Sequence, residues 1–209
     1  MHKQHFILTN DDTIRVALRK KLEMECEQHI TTETKIIEEL GIIHGTARID
    51  IAVVNGVIHG YELKSDKDTL KRLPGQIEIY NAVLDKVTLV VGKNHLHEAI
   101  KIIPDWWGVT VAKATCSDSD IYFYNIREPE TNPNQNRAVA MAALLWREEA
   151  LSILERIGQA DGVRSKKRSE IYIRLSEVLD KDVLAGIVRS HLRLREDWRS
   201  DMQYIPCGG

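Results

Sequence analysis

One stretch of the chain constrains its fold more than any other. It reads RIDIAVVNGVIHGYELK and begins at Arg48. Two apolar segments meet at Asn-Gly, which is the strongest short-range signal for a β-hairpin. Asp50, Glu62 and Lys64 nevertheless place charges inside these segments. Because an unpaired buried charge is costly, the three side chains either face water or are held by a cation.

The length of the hairpin loop decides whether Asp50 and Glu62 can act together. The hairpin strands are predicted to cover roughly residues 47–54 and 57–64. Because side chains alternate along a strand, a two-residue Asn-Gly loop would put Asp50 and Glu62 on opposite faces of the sheet. A three-residue loop with Gly56 in the left-handed region, or a bulge near Gly60, would put them on the same face. The sequence leaves both arrangements open.

The composition limits the class of protein. The chain has 209 residues, 43% hydrophobic and 29% charged, which suits one sizeable core or an α/β domain with a small appendage. Its net charge of −2 provides no global basic field, so nucleic-acid binding would need a local patch. The three cysteines show no C-x-x-C spacing and fit a reducing compartment. With no leader-like segment and no apolar run of membrane-spanning length, we expect a cytoplasmic protein without a membrane span.

Hydrophobic periodicity predicts alternating helices and strands in the first two thirds of the chain. Helices are predicted over 10–29, 31–41, 74–84 and from Asn94 to about Pro104, with further strands at KVTLVVG, VTVAKA and IYFYNIR. The stretch EPETNPNQN predicts a linker. The resulting organisation is an α/β core, a linker and a helical C-terminal module, at 1–127, 128–136 and 137–209. The module's helices are predicted at about 137–158, 167–179 and 181–195.

The charges of the hairpin suit a divalent metal. Hard cations such as Mg²⁺ take oxygen ligands, often one or two carboxylates with waters and substrate. Asp50 and Glu62 would supply carboxylates, and the Leu63 carbonyl a third oxygen. Lys64, two residues beyond Glu62, would orient an attacking water or counter developing charge. Glu38 and Glu39 of the predicted helix 31–41 are the candidates for a further acid. Glu39 borders the apolar stripe, whereas Glu38 points nearly opposite, so Glu39 is chosen.

These residues together resemble the signature of the PD-(D/E)xK nucleases. The signature stands here as Glu39, Asp50 and Glu62-Leu63-Lys64, with Ile in place of the usual Pro before Asp50. The next predicted helix carries QIEIY, which is similar to the Q-x-x-x-Y element of the RecB-type branch. The whole chain also resembles an uncharacterised bacterial family with the stretches RIDIAVVNG, YELKSD and VTLVVG and a similar helical tail.

The resemblance implies a restriction-endonuclease-like core, in which helices flank a mixed central sheet. It implies a nuclease that uses Mg²⁺ or Mn²⁺ to hydrolyse phosphodiester bonds, with DNA as the expected substrate and a homodimer as one form in which such enzymes act. Asp50, Glu62 and Leu63 would bind the metal, and Glu39 would assist through a water or a second metal. The Q-x-x-x-Y residues would contact the nucleic acid, namely Gln76 and Tyr80. Arg48 could guide a phosphate or pair with Asp50.

Two other interpretations stay open. The hairpin charges could form a solvated sheet face with cross-strand ion pairs, each of which stabilises little. The chain could also be a nucleic-acid-binding or assembly module that keeps the nuclease fold without catalysis. A basic cluster in the C-terminal module could contact phosphates or be a solvated helix face; it comprises Arg164, Lys166, Lys167 and Arg168.

Overall fold

The computed structural model of the protein describes residues 6–28, 33–115 and 120–195. Its strands are β1 Phe6–Ile7, β2 Lys35–Ile42, β3 Ala47–Val54, β4 Ile58–Lys64, β5 Lys86–Gly92, β6 Gly108–Thr115 and β7 Ile121–Arg127. Its helices are α1 Asp11–Gln28, α2 Leu73–Val83, α3 Leu96–Ile102, α4 Ala138–Ala142, α5 Arg147–Arg156, α6 Arg168–Val178 and α7 Lys181–Leu194.

All seven strands form one mixed sheet. Its order is β1-β6-β5-β4-β3-β2, with β7 also paired to β6. The β4–β5 and β5–β6 pairs are parallel, and the other pairs are antiparallel. Since parallel strands need crossover connections, α2 and α3 carry the chain from β4 to β5 and from β5 to β6. An α/β protein with helices flanking a mixed sheet is thereby confirmed.

The two faces of the sheet are covered unequally. Helix α1 packs its apolar stripe, Ile14, Leu18 and Leu22, against one face. Its first turn is capped by Asn10, whose Oδ1 accepts a hydrogen bond of 2.9 Å from the Thr13 N–H. The other face carries a much larger core, to which α2, α3 and the C-terminal helices all contribute. Of the helices in the described ranges, none is both long and apolar enough to cross a membrane.

The predicted linker does not separate two hydrophobic cores. Residues of α5 and α7 join the same apolar cluster as the central strands. Within the linker, the buried Asn132 donates hydrogen bonds to the Asn81 and Leu84 carbonyls at 2.9 and 2.8 Å. The linker is therefore docked on the core, and the C-terminal helices that follow it pack on the same sheet. The predicted single helix over 137–158 is wrong, because α4 ends at Ala142 and α5 begins at Arg147.

The segment predicted as a helix over 31–41 is an edge strand where the structure describes it. Strand β2 pairs with β3 in antiparallel fashion from Lys35↔Val54 to Ile42↔Ala47. Glu39 has a left-handed φ of 52° and lies outside the regular pairs. Ile37 and Leu40, three residues apart, both reach the larger core across this irregularity. That spacing imitates the helical period, which explains the wrong prediction.

The hairpin has the register that a joint site requires. Val54 pairs with Ile58, so the loop has three residues and the pairing is regular through Ile51↔Tyr61. The predicted left-handed Gly56 is wrong, because the positive-φ glycines of the described chain are elsewhere. The loop is closed instead by Asn55, whose Oδ1 accepts a hydrogen bond of 3.1 Å from the Val57 N–H.

Candidate functional site

A polar cavity of about 980 Å³ opens where β3 begins and β4 ends. The cavity, called here the site cavity, also borders α1, β2 and α2. The residues predicted from the sequence that line it are Glu39, Arg48, Asp50, Glu62, Leu63, Lys64 and Gln76. Residues far apart in the chain therefore converge on one cavity, as the motif requires. Tyr80 lies behind this wall and is fully buried.

Asp50 occupies the point at which the regular β3–β4 pairing stops. Its Oδ2 accepts a hydrogen bond of 2.7 Å from the Leu63 N–H, so the side chain replaces a backbone partner. Asp50 and Glu62 nevertheless both line the site cavity, and the Asp50 charge acts on the Glu62 carboxyl. The arrangement with the two carboxylates on opposite faces is therefore excluded.

Glu62 and Lys64 form an ion pair that is almost completely buried. Their side chains are 1% and 4% exposed, and the Lys64 ammonium donates to the Glu62 Oε1. Lys64 also donates a hydrogen bond of 3.3 Å to the Leu63 carbonyl. Burial and then the nearby Asp50 charge raise the pKa of Glu62 to about 6, while Lys64 acts in the opposite direction. A shifted pKa of this kind in a cleft marks Glu62 as a candidate functional-site residue.

Helix α2 holds Glu62 from behind through the Q-x-x-x-Y pair. The Gln76 Nε2 donates to the Glu62 Oε1 at 2.7 Å, and the Tyr80 hydroxyl lies 2.7 Å from the Glu62 Oε2 and 2.6 Å from the Arg48 carbonyl. Gln76 and Tyr80 lie one helical turn apart and so face the same way. Tyr80 acts on the site through Glu62, whereas Gln76 also reaches the cavity. The buried Gln76 Oε1 has no hydrogen-bond partner within the described chain.

Glu39 lies at the cavity, but on a strand and not on the predicted helix. Its side chain is 44% exposed and its Oε1 lies 2.9 Å from the Arg15 Nη1. Glu38 instead pairs with Arg19 and does not line the cavity. The choice of Glu39 over Glu38 therefore agrees with the position of the cavity, although its structural basis was wrong. The Arg48 Nη1 lies 3.7 Å from the Glu39 Oε2. Arg48 therefore pairs with Glu39, whereas Asp50 pairs with Arg15.

The sequence analysis missed Arg15, which joins the acidic groups of the site. Its guanidinium lies 2.8 Å from the Asp50 Oδ1, 3.1 Å from the Asp50 carbonyl and 3.1 Å from Asp11. The signal was present, because Asp11 and Arg15 are four apart on the predicted first helix and Arg15 follows the buried Ile14. Three further basic residues line the cavity and were not selected: Lys67, Lys71 and Arg72.

The donor atoms of the cavity suit a hard cation that keeps some of its water. Within residues 6–28, 33–115 and 120–195, no group of three or more His, Cys, Asp or Glu side chains is arranged to hold a metal. Asp50 and Glu62 nevertheless provide two carboxylates, which is a number that Mg²⁺ commonly uses with waters and substrate oxygens. Arg15 and Lys64 neutralise these carboxylates in the structure. The residues present therefore fit a magnesium-like ion that would share both carboxylates with basic side chains.

Comparison with known proteins gives the family. The sequence profile of the family described as bacteriophage P4 protein cII matches residues 8–204. The chain belongs to this family. A curated member, Protein cII of Enterobacteria phage P4, is 28% identical over 151 residues, which is 72% of this chain and 55% of that protein. The chain thus spans about half the length of the cII relative it matches.

A solved structure is also similar in part. It is the SPO1766 protein of unknown function from Silicibacter pomeroyi, with 15% identity and a TM-score of 0.39. The similarity covers 72% of the cII-family chain and 96% of the other protein. A likeness of this size does not establish a shared fold.

Proposed function

We propose that this cII-family chain is a metal-dependent nuclease that hydrolyses phosphodiester bonds in DNA, built on a restriction-endonuclease-like core. The observation that carries the proposal is the convergence of Asp50, Glu62 and Lys64 on one polar cavity at the end of the β3–β4 hairpin. A buried Glu–Lys pair is a costly way to fill that position if it serves stability alone. Its position beside an open cavity is what a catalytic role would explain.

The metal site of the proposal consists of Asp50, Glu62 and the Leu63 carbonyl, with Glu39 assisting through a water or a second metal. Mg²⁺ or Mn²⁺, when bound, would neutralise phosphate charge and lower the pKa of a water. Glu62 is oriented for this role by Gln76 and Tyr80, which fix both of its oxygens. Asp50 is oriented by the Leu63 N–H.

Lys64 is the proposed catalytic cation. Its ammonium is buried at the cavity wall, where its hydrogen bonds are to Glu62 and Leu63. Three donors on one ammonium leave it able to hold an attacking water or to counter charge that develops on the phosphate. Low exposure strengthens either effect, because fewer solvent dipoles screen the charge.

The basic side chains of the cavity support a polyanionic substrate. Lys67, Lys71 and Arg72 line one side, and the exposed Arg48 lines another. Such residues contact phosphates without reading base sequence, so they would position the strand.

A cleavage panel tests the proposal. Single-stranded, duplex, nicked and branched DNA, together with RNA, would be incubated with Mg²⁺, Mn²⁺ or EDTA. We expect cutting of DNA that needs metal and falls at least about a hundredfold in Lys64→Ala, the range of one positioned catalytic group. The matched control is Lys101→Ala, on the exposed face of α3 away from the cavity. Cleavage that persists in Lys64→Ala or in EDTA would contradict the proposal.

A non-catalytic nucleic-acid-binding module is the alternative. One observation favours it: Arg15 and Lys64 already neutralise both carboxylates, so the site is electrostatically satisfied by its own side chains. Such a module would bind DNA without metal and need not bind Mg²⁺. A metal titration separates the two functions, because the nuclease requires an ion that depends on Asp50 and Glu62.

A further inference from the structure

A second cavity lies beside the site cavity and differs from it in character. It has a volume of about 860 Å³ and a mostly apolar wall, and it is called here the apolar groove. Its floor includes Val139, Ala140 and Ala143, from α4 and the residue after it, and Tyr172 of α6. The turn between β2 and β3 separates the two cavities: its first half lines the apolar groove and its second half lines the site cavity.

This turn has an unusual backbone. Ile43 and His44 have φ values of 45° and 57°, although a β-branched residue rarely adopts the left-handed region. The turn is held by hydrogen bonds from the Gly45 N–H to the Ile42 carbonyl and from the Thr46 hydroxyl to the Ile43 carbonyl, at 3.1 and 2.7 Å. The conformation stacks the His44 ring on Tyr172, with centroids 5.5 Å apart. Strain of this kind is often found where a side chain must be held for a ligand.

The rim of the apolar groove is basic. Arg147, Lys167 and Arg168 line it, whereas no carboxylate is among its lining residues. The Arg147 guanidinium donates hydrogen bonds to the Arg164 and Lys166 carbonyls, which fixes the basic loop at the edge of the groove. Burial, and then the nearby Arg168, lower the pKa of His44, so its ring is neutral and suited to stacking at pH 7. This combination of an apolar floor, a stacked pair of rings and a basic rim suits a ligand that has a flat ring and an anionic backbone.

We propose that the apolar groove binds a nucleotide of a single nucleic-acid strand, and that the same strand crosses the β2–β3 turn into the site cavity. The base would stack on the exposed His44 ring, which rests on the buried Tyr172, and its phosphates would meet Lys167 and Arg168. The identification of the ligand as nucleic acid rests on the proposed nuclease function. The match to a flat ring with an anionic backbone rests only on the residues that line the groove. Base stacking of this type tolerates different bases, so the groove would bind single strands in preference to duplexes and would not distinguish their sequences.

Binding of a 12-nucleotide, fluorescently labelled single-stranded DNA in EDTA tests the inference by fluorescence anisotropy. EDTA removes divalent metal and so keeps the proposed cleavage out of the measurement. We expect Lys167→Glu/Arg168→Glu to weaken binding at least about tenfold and to lower the salt dependence, since about 0.7 counterion is released per phosphate of a single strand. The matched control, Lys20→Glu/Lys101→Glu, has the same net charge and lies outside both cavities, so it should change affinity less than about twofold by the same reasoning.

A second variant tests the groove without changing charge. Ala143→Trp would fill the space above the floor, and circular dichroism would show that the variant folds. We expect it to weaken oligonucleotide binding about fivefold or more, because one stacked base contributes that much or more. Ala143 is half-buried at the groove wall and outside the site cavity.

The outcomes separate the inference from the proposed function. Equal affinities in the Lys167/Arg168 reversal and in its control would overturn the inference, even if metal-dependent cleavage is found. Loss of binding in the reversal and in Ala143→Trp would support it, even if the cleavage panel is silent. An acyl anion such as oleate, or an acidic peptide, that binds the groove and leaves the oligonucleotide bound would assign the groove to another ligand and overturn the inference.

Discussion

The two faces of β4 carry two polar clusters that differ in charge and in burial, since Glu62 and Lys64 are buried whereas His59 and Tyr61 are half-buried. On the α2 side lies the site cluster, which consists of Glu62, Lys64, Gln76 and Tyr80. On the other side lies the His59 cluster, in which the His59 ring lies 2.9 Å from the Thr88 hydroxyl, 3.2 Å from the Tyr61 hydroxyl and stacks on the Tyr61 ring. Polar groups on the two faces of the same strand are therefore matched in two ways, by a charged pair on one face and by hydroxyls on the other.

The difference shows which cluster stability alone can explain. The His59 cluster is neutral, because burial and then Lys86 lower the pKa of His59 to about 4. Its ring nitrogens are matched by two hydroxyls, which is an inexpensive arrangement. The site cluster instead keeps a charged pair, a carboxyl with a raised pKa and an unsatisfied amide oxygen beside a cavity. Local features that break the rules of stable folding are expected where function requires them.

The largest effect should come from breaking the Glu62–Lys64 pair. Glu62→Leu leaves the Lys64 ammonium buried without its partner, so we expect a loss of about 3–5 kcal/mol in the free energy of unfolding. The double variant Glu62→Leu/Lys64→Met should recover most of that loss, because it buries no charge. Urea denaturation of the three proteins measures the cycle. A double variant no more stable than Glu62→Leu would show that the pair is retained for stability.

The next effect is the pH dependence that the His59 cluster imposes. The folded pKa of about 4 lies below the ordinary value of 6.5. Between these values the unfolded chain takes up a proton that the folded protein excludes, so stability is lost as the pH falls from 6.5 towards 4. The loss from this group is on the order of 3 kcal/mol. Glu62 has the opposite sign, because its raised pKa lets the folded protein take up a proton first as the pH falls through about 6.

His59→Gln isolates the histidine contribution. The difference in unfolding free energy between wild type and His59→Gln, measured at several pH values, cancels what Glu62 contributes to both. We expect the wild type to lose its advantage steadily between pH 6.5 and 4. A difference that does not change over this range would mean that His59 titrates alike in the folded and unfolded chain.

A smaller effect is expected from removing one hydroxyl of the site cluster. Tyr80→Phe deletes the hydrogen bond to the Glu62 Oε2, and a bond to a charged group contributes about 2 kcal/mol. If the cluster serves catalysis, cleavage should also fall about tenfold to a hundredfold, as for groups that orient a metal ligand. The matched change in the His59 cluster is Tyr61→Phe, which should leave cleavage unchanged. Equal effects on cleavage would remove the distinction between the clusters.

The smallest effect concerns the turn that joins β3 to β4. Asn55→Ala removes the hydrogen bond from the Val57 N–H, and we expect a cost of about 1 kcal/mol. Cleavage should be unaffected, since the β3–β4 pairs hold the register and the Leu63 N–H holds Asp50 without this bond. A large loss of cleavage in this variant would show that the loop, and not the ladder, controls the register.

The sequence predicted the hairpin and the central elements well, because Asn-Gly, the β-branched runs and the Gln76–Tyr80 spacing act locally. It could not predict that Glu39 sits on a strand. The left-handed residue there changes which positions face the core, and the apolar spacing then imitates a helix. The spacing of Arg15 from Asp11 was visible in the sequence, but its contacts to Asp50 and Glu39 join α1 to β3 and β2, and only tertiary structure shows those pairs.

Mn²⁺ binding, followed by electron paramagnetic resonance, tests the central proposal most directly, since it does not require the right substrate. Wild type, Asp50→Asn and His59→Gln would be titrated under the same conditions. The site cluster predicts one bound Mn²⁺ in wild type and in His59→Gln, and at least about tenfold weaker binding in Asp50→Asn, which removes a charged oxygen ligand. Equal binding by all three proteins, or none by wild type, would contradict a metal site at the end of the hairpin.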